Sequence, residues 1–199
     1  MTGAERPRRR GPYAKTAARR EQIIDEAYRL FSLKGYHASS LRDVATAAGM
    51  SQSNLQHHFA GKEELLLAVL ARRDELRGGD LPGDEGASFE RHIVAQAKAN
   101  ESVPGLIALY SVLAAEATTE GHPARDYFLE RYETLQAEYT AEFEALRRAG
   151  RLRDGVDPAI AATTVVALWE GIQLRWLYTP DAIDASATLR AYLELVLTA

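Results

Sequence analysis

The segment from Ser39 to Lys62, SSLRDVATAAGMSQSNLQHHFAGK, restricts this chain more than any other, because it specifies two short helices joined by a tight bend. Ser40 has the place and chemistry of a helix N-cap, with Asp43 three residues on in the capping-box position. Leu41, Val44, Ala45 and Ala48 form one apolar face. Gly49 then ends the helix in the left-handed conformation that a Cβ penalises, and Met50 is expected to plug the bend from beneath. Ser51 caps the second helix through the amide of Ser53 or Asn54, while Leu55 and Phe59 turn inward. Gln52, Ser53, Asn54, Gln56, His57 and His58 stay outside, an unbroken run of hydrogen-bonding side chains of the kind that base edges and phosphates require. Amphipathic helix pairs with a glycine corner occur in many helical proteins, so the spacing matters. Ala45 is small where the helices would cross, Gly49 follows four residues later and Leu55 ten residues after Ala45. Together these fix the near-perpendicular packing of a helix-turn-helix that reads the DNA major groove.

The formal net charge of −4 argues against a nucleic-acid partner only if charge is spread evenly, and it is not. Residues 1 to 62 carry 11 Lys and Arg against 5 Asp and Glu, leaving 13 against 23 in the remainder. A basic head on an acidic body attracts phosphate at one end and avoids indiscriminate DNA contact elsewhere. With 199 residues, 46% of them apolar, the chain can fill one large core or two smaller ones, and two unequal helical domains fit the pattern best. The absence of cysteine excludes disulfides, thiolate zinc sites and cysteine nucleophiles. No run approaches the roughly 18 apolar residues of a membrane span, and the N-terminal arginines precede no apolar signal region, so a cytoplasmic location is expected.

The expected architecture is all-α: an N-terminal three-helix DNA-binding domain containing the helix-turn-helix, then a larger helical effector-binding and dimerisation domain. Residues 1–15, with Arg6, Arg8, Arg9 and Arg10 and little to bury, read as a disordered basic arm. The DNA-binding domain spans 16–62, opened by a helix from Thr16 to Lys34 whose Ile23, Ile24, Ala27, Leu30 and Phe31 form one stripe and which Gly35 terminates. A connecting helix follows over 63–78 with Leu65, Leu66, Val69 and Leu70 facing inward. Gly78, Gly79, Pro82, Gly83 and Gly86 then mark a link into the second domain, 79–199. Helices are expected there at about 86–100, 103–120, 123–149, 157–178 and 181–198, with Pro104, Pro123, Pro158 and Pro180 near their starts.

The helix from Asp157 to Tyr178 carries two apolar faces, Ile160, Thr164, Ala167, Leu168 and Gly171 on one and Val165, Trp169, Ile172 and Trp176 on another, so it must be covered twice. The final helix adds Leu189, Tyr192, Leu193, Val196 and Leu197. Pairing both helices with their symmetry copies would make a homodimer built on a four-helix interface, the alternative being burial wholly within one chain. Tyr110, Leu113, Phe128, Tyr132, Trp169, Gln173 and Trp176 are candidates to line an effector pocket, since they combine apolar walls with a few polar groups, although an ordinary helical core holds the same set.

Other chemistry finds no support. His57 and His58 are adjacent and point about 100° apart on a helix, which suits no shared metal. Glu116 and Glu120 lie one turn apart, as on any solvated helix face, and neither a phosphate-binding glycine loop nor a nucleophile elbow is present. The expectation is a protein without catalytic residues, metal or cofactor.

The run from Ile23 through Phe31, Gly35 and Tyr36, then Ser40 to Lys62 and Glu63 to Leu66, closely resembles the DNA-binding domain of the TetR, or tetracycline-repressor-like, transcriptional regulators. LWEGIQLRWLYTP is similar to the penultimate helix of many members. The resemblance implies a homodimer whose reading helices enter successive major grooves of a near-palindromic operator, roughly 34 to 36 Å apart or somewhat more. It implies that Arg42 reaches a base or phosphate, that Ser51 at the helix start, Gln52, Ser53 and Asn54 face the DNA and its base edges, that Gln56, His57 and His58 contact backbone or bases, and that Lys62 meets a phosphate. One departure is Gln56, where many members carry a tyrosine that grips phosphate. The function implied is a ligand-responsive regulator, a repressor released from its operator by a small molecule, with activation or effector-independent architectural binding as the alternatives.

Overall fold

Helical periodicity decides the whole architecture. The structure, a computed structural model, describes residues 12–78 and 88–198, and among them nine helices and no strand are formed. They divide into two compact units, one up to Arg72 and one from Arg73. Residues 1–11 of the arm expected at 1–15 and most of the expected link, 79–87, lie outside the described residues, while residues 12–15, expected in the arm, form the first turn of the opening helix.

In the first unit, α1 (Pro12–Lys34) starts four residues before Thr16, with proline at the first helical position where its missing amide costs nothing. Ile23, Ile24, Ala27 and Phe31 are buried along one stripe, and Gly35, at φ +83°, closes the helix by donating its amide to the Phe31 carbonyl at 2.9 Å. Tyr36 then folds back edge-on to Phe31, ring centroids 5.5 Å apart. Next come α2 (Leu41–Ala47), α3 (Gln52–Gln56) and α4 (Lys62–Gly78). Leu65, Leu66, Val69 and Leu70 of α4 are fully buried, as their spacing predicts.

The second unit holds α5 (Phe89–Asn100), α6 (Pro104–Glu116), α7 (Arg125–Arg148), α8 (Pro158–Tyr178) and α9 (Ala185–Val196). Pro104 and Pro158 open their helices, whereas Pro180 lies short of α9, whose cap is Asp184 accepting from the Ala187 amide at 2.7 Å. A side chain that satisfies an orphan amide sets the start four residues later than the apolar pattern suggests. Gly150, at φ +70°, stops α7, and the chain beyond it pairs Leu152 with Leu197 in a single antiparallel bridge.

α8 is the hub, packed against α6, α7 and α9, and α5 packs on α9. Ala161, Ala162, Val165, Trp169 and Ile172 of α8 enter the core. The opposite side of the same helix carries an exposed apolar stripe of Ile160 (68% exposed), Ala167, Gly171, Leu174 (50%) and Tyr178 (82%). One expectation needs correction here. Leu189, Leu193 and Leu197 are buried in this unit's own core, with Tyr192 and Val196 packed against it. Leu189, Leu193 and Leu197 are therefore not surface available to a second copy, whereas Tyr192 and Val196 stay partly exposed. The outward side of α9 is Thr188, Ala191 and Leu195, the last 72% exposed.

Candidate nucleic-acid interface

The reading surface is built by caps and one glycine. The Ser40 hydroxyl accepts from the Asp43 amide at 3.1 Å and the Asp43 carboxylate accepts from the Ser40 amide at 2.9 Å, a complete capping box at the start of α2. The Ser40 hydroxyl also donates to the Asp43 carboxylate at 2.6 Å, and this bond, followed by the one from the Ser40 amide, holds the Asp43 carboxyl below the usual carboxylate range. Val44, Ala45 and Ala48 are buried and Leu41 half-buried. Gly49 sits at φ +66° and the Met50 amide reaches the Ala45 carbonyl at 2.9 Å, so the chain reverses within three residues. Ser51 caps α3 by accepting from the Asn54 amide at 3.2 Å, and its hydroxyl also meets that of Ser53 at 3.1 Å. Leu55 and Phe59 are sealed beneath.

On this floor Ser51, Gln52, Ser53, Asn54, Gln56 and His57 are exposed, as is Arg42 on α2. His58 differs from the expectation. It lies past the end of α3, in the turn that follows His57, and is half-buried. The helix spans only five residues, and the two histidines leave it at its end.

Three residues that sequence reasoning passed over hold this surface in place. Arg20 of α1 stacks its guanidinium on the Phe59 ring, 3.9 Å from the centroid, donates to the His58 carbonyl and pairs with Glu64 at 3.1 Å. Glu64 in turn accepts from the Ala60 amide at 2.7 Å, and that bond, followed by the one from Arg20, lowers its pKa. One guanidinium thus ties α1 to the end of the reading helix and the start of α4 through a ring face, a carbonyl and a carboxylate. The third residue is Tyr36, over whose ring the Lys62 ammonium lies at 4.1 Å. Lys62 is half-buried there, and desolvation lowers its pKa. The ammonium is held by an aromatic face, and among the described residues no carboxylate takes its N–H donors.

The effector candidates are dispersed. Tyr110 and Trp169 line a crevice of about 20 Å³, and Gln173 and Trp176 line another of about 10 Å³. Leu113 and Phe128 are closed in the core, with Phe128 stacked 5.0 Å from Tyr110, while Tyr132 faces an open groove along α7.

Residues 23–69 match the family model for bacterial regulatory proteins of the tetR family, and residues 92–198 match that for the C-terminal part of BetI-type transcriptional repressors. The HTH-type transcriptional regulator LmrA of Bacillus subtilis (strain 168) is 28% identical over 162 residues, 76% of this chain and 82% of that protein. The HTH-type transcriptional repressor KstR2 of Rhodococcus jostii (strain RHA1) is 25% identical over 190 residues, 91% of this chain and 90% of the relative. Among solved structures, a transcriptional regulator from Saccharomonospora viridis in complex with choline aligns over 92% of this chain and 100% of its own with a TM-score of 0.76. At 20% identity that likeness speaks for the fold alone.

Proposed function

The chain belongs to the TetR family of bacterial transcriptional regulators, and from that premise we propose that it is a cytoplasmic repressor that holds a near-palindromic operator as a homodimer and leaves it when a small molecule binds. The observation that carries this reading is the exposed row Gln52, Ser53, Asn54, Gln56 and His57 over a floor fixed by two capped helices. Amide and hydroxyl side chains held on a rigid support discriminate base edges, with Asn54 suited to adenine. Arg42 and Lys62 supply charge for phosphates. Gln56 replaces a phenol with an amide, so anchoring falls more heavily on Lys62.

The outward stripes of α8 and α9 supply the surface for a second copy, since a helix with apolar residues on opposite sides needs two covers. The effector enters among Tyr110, Tyr132, Trp169, Gln173 and Trp176, and must widen the crevices to do so. α4 passes out of the first unit into the second, where its Asp74 accepts from the Tyr127 hydroxyl at 2.6 Å. A shift of α7 on ligand entry would therefore be felt by α4. To release an operator, the ligand must favour the non-binding arrangement by a few kcal/mol.

Selection from random DNA, followed by mobility shifts at several salt concentrations, tests the proposal. Asn54→Ala relaxes sequence choice at one position of each half-site. Lys62→Ala weakens all sequences alike and reduces the salt slope by about two, one for each half-site. Failure to enrich any sequence overturns it.

A further inference from the structure

A groove of about 890 Å³ runs between α5 and α9 in the second unit, away from every residue assigned above to DNA or effector. Its floor is apolar, made by Val94, Leu193 and Leu197, and its volume is that of a drug-sized ligand site, typically about 300 to 1,000 Å³. The crevices at Tyr110 and Gln173 admit at most a water without rearrangement, whereas this groove is open as it stands.

Its charge runs against that of the surrounding domain. Residues beyond 62 hold 13 basic side chains against 23 acidic ones, yet the groove is lined by five basic residues and two acidic ones. Two of the cations are spent locally, Arg151 on Glu90 at 2.6 Å and Lys98 on Glu101 at 2.5 Å. Arg91 and Arg190 have no carboxylate partner among the described residues. Arg153 is fixed in place by donating to the carbonyls of Leu197 at 3.0 Å and Glu194 at 3.3 Å, neutral acceptors that orient the guanidinium without cancelling its charge. Against these three stands only the Glu194 carboxylate.

We propose that the α5–α9 groove is a binding site for an amphipathic organic anion, its hydrocarbon body on Val94, Leu193 and Leu197 and its anionic head between Arg91, Arg153 and Arg190. Planar guanidinium groups pair bidentately with carboxylate, sulfonate or phosphate oxygens, and one already held by backbone carbonyls loses little freedom on binding. An apolar ligand lacking the charge would leave the cations facing hydrocarbon, so the site discriminates by head group.

The test uses the full chain and a matched pair of fluorescent probes, 8-anilinonaphthalene-1-sulfonate and N-phenyl-1-naphthylamine, which share the ring body and differ by the sulfonate. The expected result is saturable binding of the sulfonate at one site per chain, displaced by dodecanoate and not by dodecanol. In Arg91→Glu/Arg190→Glu, both exposed positions, that affinity falls at least about tenfold. The same variant retains its melting temperature and its operator affinity, which keeps this site's failure distinct from failure of the DNA-binding reading. Equal binding of the two probes, or an unchanged sulfonate affinity in the charge-reversed variant, overturns the proposal.

Discussion

Gly171 separates the stability of the single chain from that of the pair. It lies in the interior of the 21-residue α8, its φ is not positive, and a Cβ built there meets nothing within 4 Å. Nothing inside the chain requires glycine, and in a helix interior glycine is about 0.5–1 kcal/mol less favourable than alanine. With Ala167 one turn before it, and Ile160, Leu174 and Tyr178 on the same exposed stripe, it marks, on the proposed interface, the place where a second α8 would cross most closely. Gly171→Leu should therefore leave the isolated fold intact or slightly firmer while overpacking the crossing. Forcing side-chain volume into a packed contact costs about 1–3 kcal/mol. A two-fold interface suffers it from both copies, so the penalty is about 2–6 kcal/mol, at least roughly 30-fold in the dimer dissociation constant. Sedimentation equilibrium over a concentration series reads the dissociation constant, and circular dichroism reads the helix content. Gly171→Ala is the control, with a melting temperature of the dissociated chain raised by roughly 1–4 °C. A Gly171→Leu variant that dimerises as tightly as the parent would refute the assignment of this stripe to a helix crossing.

Arg20→Ala should lower operator affinity by roughly tenfold with helix content preserved, because the end of α3 loses its carbonyl and ring contacts; Arg20→Lys should not restore it, since an ammonium cannot stack on Phe59 and bridge His58 and Glu64 together. Mobility shifts beside circular dichroism check both. Gly49→Ala should cost about 1–2 kcal/mol in denaturant unfolding, all of it backbone strain at φ +66°, since its Cβ would touch nothing, and Gly49→Asn should recover part of it. Asp43 and Glu64 titrate below their ordinary values in the folded chain, so each stabilises it fully above the unfolded pKa of about 4 and ceases to do so as pH falls through its lowered folded pKa. Urea midpoints of Asp43→Asn and of the parent should therefore differ at pH 7 and converge as the pH is taken below about 4 and Asp43 is protonated in the folded chain.

What was legible in the sequence is the chemistry that acts within one turn. Ser40 with Asp43, Ser51 with Asn54, and the glycines at 35 and 49 each satisfy or release a backbone group a few residues away, and the structure places all of them as their spacing requires. The Arg20 clamp was not legible. Its partners His58, Phe59 and Glu64 stand 38 to 44 residues away, and an arginine in the first half of an amphipathic helix looks like any solvated charge until the fold brings them together. The half-burial of His58 follows from the same gap, because the helix expected to present it ends at Gln56.

The faces of α8 and α9 show where periodicity stops being informative. A helix with one apolar stripe turns that stripe to its own core, and α9 does so with Leu189 and Leu193. Its most exposed side is the opposite one, where Thr188 and Ala191 are too small to register as a stripe and only Leu195 is large, while Tyr192 and Val196 stay partly exposed. α8 has two stripes, and the one ending in the bulky Trp169 and Ile172 fills the core while the one containing Ala167 and Gly171 stays outside. Size alone does not divide the two, since Ala161 and Ala162 enter the core while Ile160, Leu174 and Tyr178 stay outside. On the outer stripe bulk is missing only at Ala167 and Gly171, and on the proposed pairing that gap is where two backbones approach.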